Sequence, residues 1–120
     1  MKKILIVEDV EWNRDLMVQI LEEDFEVIEA EDEEKGLEMA MAEQPDLILM
    51  DMLLPEMNGW EVAAEIRKRE AGKPVSVIAV SAQAMSRDEN VALEAGCNAY
   101  VSKPIDEDEL LEKIVELIGT

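Results

Sequence analysis

Asp46-Leu47-Ile48-Leu49-Met50-Asp51 is an apolar run with an acid at each end. Its interior is rich in Leu and Ile and has the length of a strand buried on both faces. Open α/β sheets bind their ligands in the crevice outside the carboxyl ends of the strands. A carboxylate at position 51 therefore stands at a crevice. A second run, Ile4-Leu5-Ile6-Val7, ends the same way, in Glu8-Asp9. Two strands thus deliver three carboxylates to one end of a sheet.

Outward from these runs the chain alternates. Short apolar stretches at 4–7, 26–29, 47–50, 75–80 and 99–101 read as strands, and longer amphipathic segments separate them. Leu16, Met17, Ile20 and Leu21 share one helical face, as do Leu37, Ala40 and Met41. Val62, Ala63 and Ile66 repeat the spacing, and so do Leu110, Leu111, Ile114, Val115 and Ile118. The segment 85–95 carries Ala92, Leu93 and Ala95 without a clean stripe. Gly96 and Ala71-Gly72-Lys73-Pro74 mark helix stops. Asp106 occupies an N-cap position ahead of Glu107, Asp108 and Glu109, where acids favour the helix dipole.

Strand followed by helix, five times over, predicts an α/β fold: a single (βα)5 domain, residues 1–120, doubly wound around a parallel sheet. The run 26–29 is flanked by acids and reads as an edge. The runs 4–7 and 47–50 are the most apolar and read as central. The flavodoxin-like strand order 2-1-3-4-5 satisfies both, and its switch point falls between strands one and three. Those are the strands that end in Glu8-Asp9 and Asp51.

Composition narrows the function. Thirty acidic against 11 basic residues give a net charge of −19, and 48% of the chain is hydrophobic. The charge argues against direct nucleic-acid binding and against an anionic membrane surface. It gives a solvated surface that would steer in a partner with basic or mixed charge. Cys97 is the only cysteine and histidine is absent, which excludes an internal disulfide, thiolate clusters, His-based triads and most zinc sites. The few apolar residues after Met1-Lys2-Lys3 are too short for a signal peptide or membrane span, so a cytoplasmic location is expected. Cys97 reads as a small buried hydrophobe.

Three carboxylates in one crevice repel each other. One acid stays protonated, or a hard cation binds. Mg²⁺ fits, since it takes oxygen ligands, keeps several waters and is held by one or two carboxylates plus a phosphate. No calcium-loop pattern is present. Ser81 follows the fourth strand, and Ser102-Lys103-Pro104 ends the fifth. A cation, a lysine and a hydroxyl around a carboxylate suit the equatorial oxygens of a phosphoryl group. A carboxylate can itself be the nucleophile and form an aspartyl phosphate. Asp51, single and central, is the candidate. Taken alone, each of these residues is an ordinary solvated turn residue or helix cap; their joint placement at different strand ends is what points to chemistry.

These residues resemble the CheY-like receiver domain of bacterial two-component response regulators. The likeness is carried by Ile4-Leu5-Ile6-Val7-Glu8-Asp9, Asp46 to Pro55, Asn58-Gly59, Val80-Ser81-Ala82, Ala95-Gly96 and Ala99-Tyr100-Val101-Ser102-Lys103-Pro104. Ser81 lies 30 residues after Asp51 and Lys103 22 after Ser81, as in that family. The resemblance implies that Asp51 is the phosphoacceptor. Glu8, Asp9, Asp51 and the backbone carbonyl of Leu53 would hold Mg²⁺, with Mn²⁺ as a substitute. Ser81 and Lys103 would bind phosphoryl oxygens, and the bond before Pro104 would be cis. Ser81 and Tyr100 would carry the switch to a surface made of the fourth helix, fifth strand and fifth helix. The implied partners are a sensor histidine kinase or histidine phosphotransferase and a downstream protein target. Trp12, Asn13 and Leu16 on the first helix are a candidate kinase contact, with a packed aromatic as the competing reading of Trp12.

Two departures from the family pattern stand out. Glu8 occupies a position often held by Asp, which lengthens the reach to the metal. Leu53 replaces a polar side chain and cannot orient a hydrolytic water, whereas Gln83 could. A rival reading is an Mg²⁺-dependent phosphohydrolase with an Asp nucleophile. Such enzymes place a second acid two residues past the nucleophile, where this chain has Leu53. A vestigial binding module would not keep every chemical position filled. The expectation is a signalling domain rather than an enzyme, either stand-alone or excised from a hybrid kinase.

Overall fold

The computed structural model describes residues 2–51, 64–66, 68, 75–81, 97–102 and 105–119; for Glu33, Asp51, Ser81 and Ser102 it describes the backbone alone. The strands are β1 (Lys3–Val7), β2 (Glu26–Ala30), β3 (Leu47–Asp51), β4 (Ser76–Ser81) and β5 (Ala99–Ser102). The helices are α1 (Glu11–Leu21), α2 (Glu33–Glu43) and α3 (Glu107–Ile118). Residues 64–66 and 68 are helical and carry part of the third helix expected from sequence. The segment 85–95 and the stops at Gly72 and Gly96 lie outside the described residues.

All five strands are parallel and ordered β2-β1-β3-β4-β5, as expected. Alternate residues of each central strand enter different cores. Leu5, Val7, Ile48, Met50, Val77 and Ala79 pack with Ala40 of α2 and with Ile66. Ile4, Ile6, Leu47, Leu49, Ile78 and Val80 pack with Met17 and Leu21 of α1 and Leu110 and Ile114 of α3. Both faces are covered, which is why these strands read as continuous apolar runs. Crossovers keep one hand. The chain moves outward from β1 to β2 and back across β1 to β3, so α1 and α2 fall on opposite faces.

Strand limits differ from hydropathy by one residue at several ends: β1 begins at Lys3, β4 begins at Ser76, and β2 runs on to Ala30. β3, β4 and β5 each run one residue past the apolar stretch, to Asp51, Ser81 and Ser102. Backbone pairing continues there, with Asp51 opposite Val80 and Ser81 opposite Ser102. Ladder geometry tolerates a polar side chain at a strand end, so the strand outlasts its hydrophobicity. Val115 is a correction: it is 45% exposed. At about 100° per residue it lies well around the helix from Leu110 and Ile114, off the inward stripe.

The opposite end of the sheet is held by polar contacts. The Lys3 amide donates to Asp46 Oδ2 at 2.8 Å, and the Asp46 amide donates to the Lys3 carbonyl at 2.8 Å. The acid that opens the 46–51 run thus clips β3 to β1. The Asp106 side chain accepts from the Glu109 amide at 3.0 Å, the expected cap of α3. Cys97 is buried in the core, as expected of a small hydrophobe.

Helix α2 approaches the active end of the sheet closely at Gly36. A Cβ there would stand 2.8 Å from Cγ2 and 2.9 Å from Cγ1 of Val7, whose branched side chain cannot swing away. Gly36→Ala adds helix preference of about 1 kcal/mol but overpacks this contact, which costs about 1–3 kcal/mol. The expected outcome is a net loss of stability in urea unfolding, with an unchanged denaturant slope.

Candidate functional site

Strand register sets the site. Val7 lies opposite Met50, Met50 opposite Ala79, and Ala79 opposite Tyr100. The residues that follow are Glu8, Asp51, Val80 and Val101, and one step further come Asp9, Ser81 and Ser102. Neighbouring strands are about 4.8 Å apart, so the acids of β1 and β3 leave the sheet side by side. Ser81 leaves it one strand away. The parallel order thus gathers Glu8, Asp9, Asp51 and Ser81 along one edge, at the switch point between β1 and β3. Leu53, Gln83, Lys103 and Pro104 lie outside the described residues.

Glu8 and Asp9 are neighbours with different surroundings. Glu8 is fully buried, while Asp9 is exposed. The Glu8 amide still belongs to the sheet, donating to the Ala30 carbonyl at 3.1 Å. Its carboxylate Oε2 lies 3.5 Å from the Val10 amide, and its carbonyl accepts from Arg14 Nη1 at 2.9 Å. Burying a carboxylate is costly unless hydrogen bonds or a cation compensate it. The donor set here is oxygen only, which matches a hard divalent cation. No group of three acidic, histidine or cysteine side chains forms among the described residues; the expected third ligand, the Asp51 side chain, is outside them.

Tyr100 packs against the core cluster on the α2 side of the sheet. Its hydroxyl is buried and has no hydrogen-bond partner among the described residues. On α1, Trp12 is 72% exposed while Asn13 and Leu16 are half-buried, and Val10, the residue ahead of the helix, is 46% exposed. Trp12 is therefore not a packed aromatic. It forms an apolar projection directly after the paired acids. Arg14, which sequence reasoning missed, holds Glu8 and also lies 3.4 Å from Glu29 through Nε. Its only sequence signal was a cation six residues beyond a strand-end acid, which by itself says nothing.

The response regulator receiver domain family matches residues 4–115, and the chain belongs to that family. The polar-differentiation response regulator DivK of Brucella ovis is 40% identical over 119 residues, spanning 98% of this chain and 97% of that protein. A receiver domain of a Pseudomonas aeruginosa sensor histidine kinase, solved with magnesium coordinated in its active-site cleft, is 33% identical. It superposes with a TM-score of 0.89 over 99% of this chain and 98% of its own. The receiver domain of a Saccharomyces cerevisiae response regulator, crystallised with its histidine phosphotransfer protein, is 30% identical. Its TM-score is 0.89 over 98% of this chain and 88% of its own. No helix among the described residues is long and apolar enough to cross a membrane.

Asp9 tests the donor set directly, because an exposed side chain can be changed without disturbing the core. Asp9→Asn is expected to weaken Mg²⁺ binding by roughly tenfold or more in calorimetric titration, by analogy with the penalties for disturbing metal shells. Its metal-free urea unfolding curve should match the parent's.

Proposed function

We propose that this chain is the phosphoacceptor switch of a two-component phosphorelay, with Asp51 receiving the phosphoryl group from a histidine kinase or histidine phosphotransfer protein. The observation that supports the reading is the register of β1, β3 and β4, which brings the backbones of Glu8-Asp9, Asp51 and Ser81 to one end of the sheet. A carboxylate oxygen of Asp51 attacks phosphorus as the phosphorus–nitrogen bond to the donor histidine breaks, and the electron pair returns to the imidazole. Mg²⁺, or Mn²⁺ in its place, held by Glu8, Asp9, Asp51 and the Leu53 carbonyl, would supply charge to the phosphoryl oxygens. Ser81 and Lys103 bind those oxygens.

Phosphorylation adds about −1.5 to −2 charges and three acceptor oxygens. Ser81 moves toward them, and Tyr100 repositions on β5. The buried Tyr100 hydroxyl has no partner among the described residues, so a change in its surroundings on phosphorylation can select another side-chain state. The surface that changes comprises the segment after β4, together with β5 and α3, and a downstream protein reads it. The exposed Val10–Trp12 projection, with Asn13 and Leu16, receives the phosphodonor. The chain works in the cytoplasm as a signalling domain. Its chemistry is confined to its own phosphorylation and dephosphorylation.

Asp51→Asn is expected to abolish labelling by acetyl phosphate in the presence of Mg²⁺; label persisting on another residue would sink the assignment. Trp12→Ala is expected to leave acetyl phosphate labelling intact while slowing transfer from phosphorylated histidine phosphotransfer proteins. Equal transfer rates for the two proteins across a panel of donors would remove Trp12 from the docking surface.

A further inference from the structure

Arg14 is hydrogen-bonded to the first of the paired acids, and the phosphorelay chemistry above gives it no part. It opens the second turn of α1, and its side chain is only 15% exposed. Nη1 donates to the Glu8 carbonyl at 2.9 Å, and Nε lies 3.4 Å from Glu29 Oε1 on β2. One side chain thus joins α1, the end of β1 and β2. Val10, the N-cap residue of α1, brings no side-chain cap of its own, and the Glu8 carboxylate reaches its amide only at 3.5 Å. Arg14 adds a shorter tie from inside the helix.

The tie falls on a particular peptide. The Glu8 carbonyl shares its planar unit with the Asp9 nitrogen, so a guanidinium on that oxygen fixes the plane from which Asp9 departs. On its other side, Glu8 is held by its amide bond to the Ala30 carbonyl at 3.1 Å. The neighbouring open cleft of about 240 Å³ is lined by Arg14, Glu29, Glu31 and Lys35. Among the described residues that line it, two cations face two carboxylates.

We propose that Arg14 is a positioning residue for the divalent cation: it sets the Glu8–Asp9 peptide so that both carboxylates address one metal. This rests on the assignment of Glu8 and Asp9 as metal ligands. A planar fork of two nitrogens can hold Glu8 and Glu29 together, which a single ammonium cannot. Charge alone predicts the opposite sign, since a positive group beside a cation site weakens binding and its removal strengthens it.

The test is calorimetric titration of the full chain with MgCl₂, with metal-free urea unfolding of each variant alongside. Arg14→Ala is expected to weaken Mg²⁺ binding by about tenfold, the scale seen for residues that orient metal ligands. Arg14→Lys should recover little of it, and labelling by acetyl phosphate should return to the parent level at saturating Mg²⁺. Glu29→Ala keeps the Glu8 contact but frees the guanidinium. It should weaken binding in the same direction by less, and it carries the test if Arg14→Ala does not fold. Unchanged or tighter Mg²⁺ binding in the folded variants overturns the proposal. Asp9→Asn is measured in parallel. If it too binds Mg²⁺ like the parent, the metal assignment itself fails; if it loses Mg²⁺ while the Arg14 variants do not, only the role of Arg14 fails.

Discussion

The parallel pairing of β1 with β3 is the constraint on which the site depends. Ile4 to Val7 lie opposite Leu47 to Met50 without offset, and all eight side chains are essentially removed from solvent. Alternate residues fill two separate cores, each large side chain contributing about 1.5–3 kcal/mol of burial. A slip of one residue would exchange the faces of an entire strand, and it would carry Glu8 away from Asp51. The crevice chemistry therefore inherits its precision from apolar packing that has no chemical role.

Much of this was legible because the strands are buried on both faces and the helices on one. Continuous apolar runs, acid-flanked β2 and the placement of acids at two central strands led to the strand order and its switch point. The Asp106 cap was visible for the same local reason. What the sequence concealed came from contacts between distant residues or from geometry around a helix. The extra residue at the ends of β3 and β4 is set by backbone pairing, which polar side chains do not reveal. Val115 fits an apolar spacing yet lies off the buried stripe. The tie from Arg14 joins a backbone carbonyl and a residue on β2, and neither partner is marked in the chain. The unlike burial of Glu8 and Asp9 arises because the sheet keeps hold of the first and releases the second.

Helix α1 serves two demands at once. Met17 and Leu21 anchor its inner face, while its N-cap and first turns carry the exposed Val10 and Trp12 and the inward-reaching Arg14. The same short helix seals one core, ties down the acidic loop and presents apolar surface beside it. Such an arrangement links the site to the fold by side chains rather than by the helix start, which Val10 leaves without a side-chain cap.

The outer strand β2 carries a separate consequence. Its exposed positions are Glu26 and Glu29, flanking the half-buried Val27 and Ile28. An unpaired strand edge invites a second chain to extend the sheet. Two copies meeting there would crowd the Glu26 and Glu29 carboxylates of both into one seam, which opposes pairing. This edge is thereby protected against runaway sheet growth at high concentration.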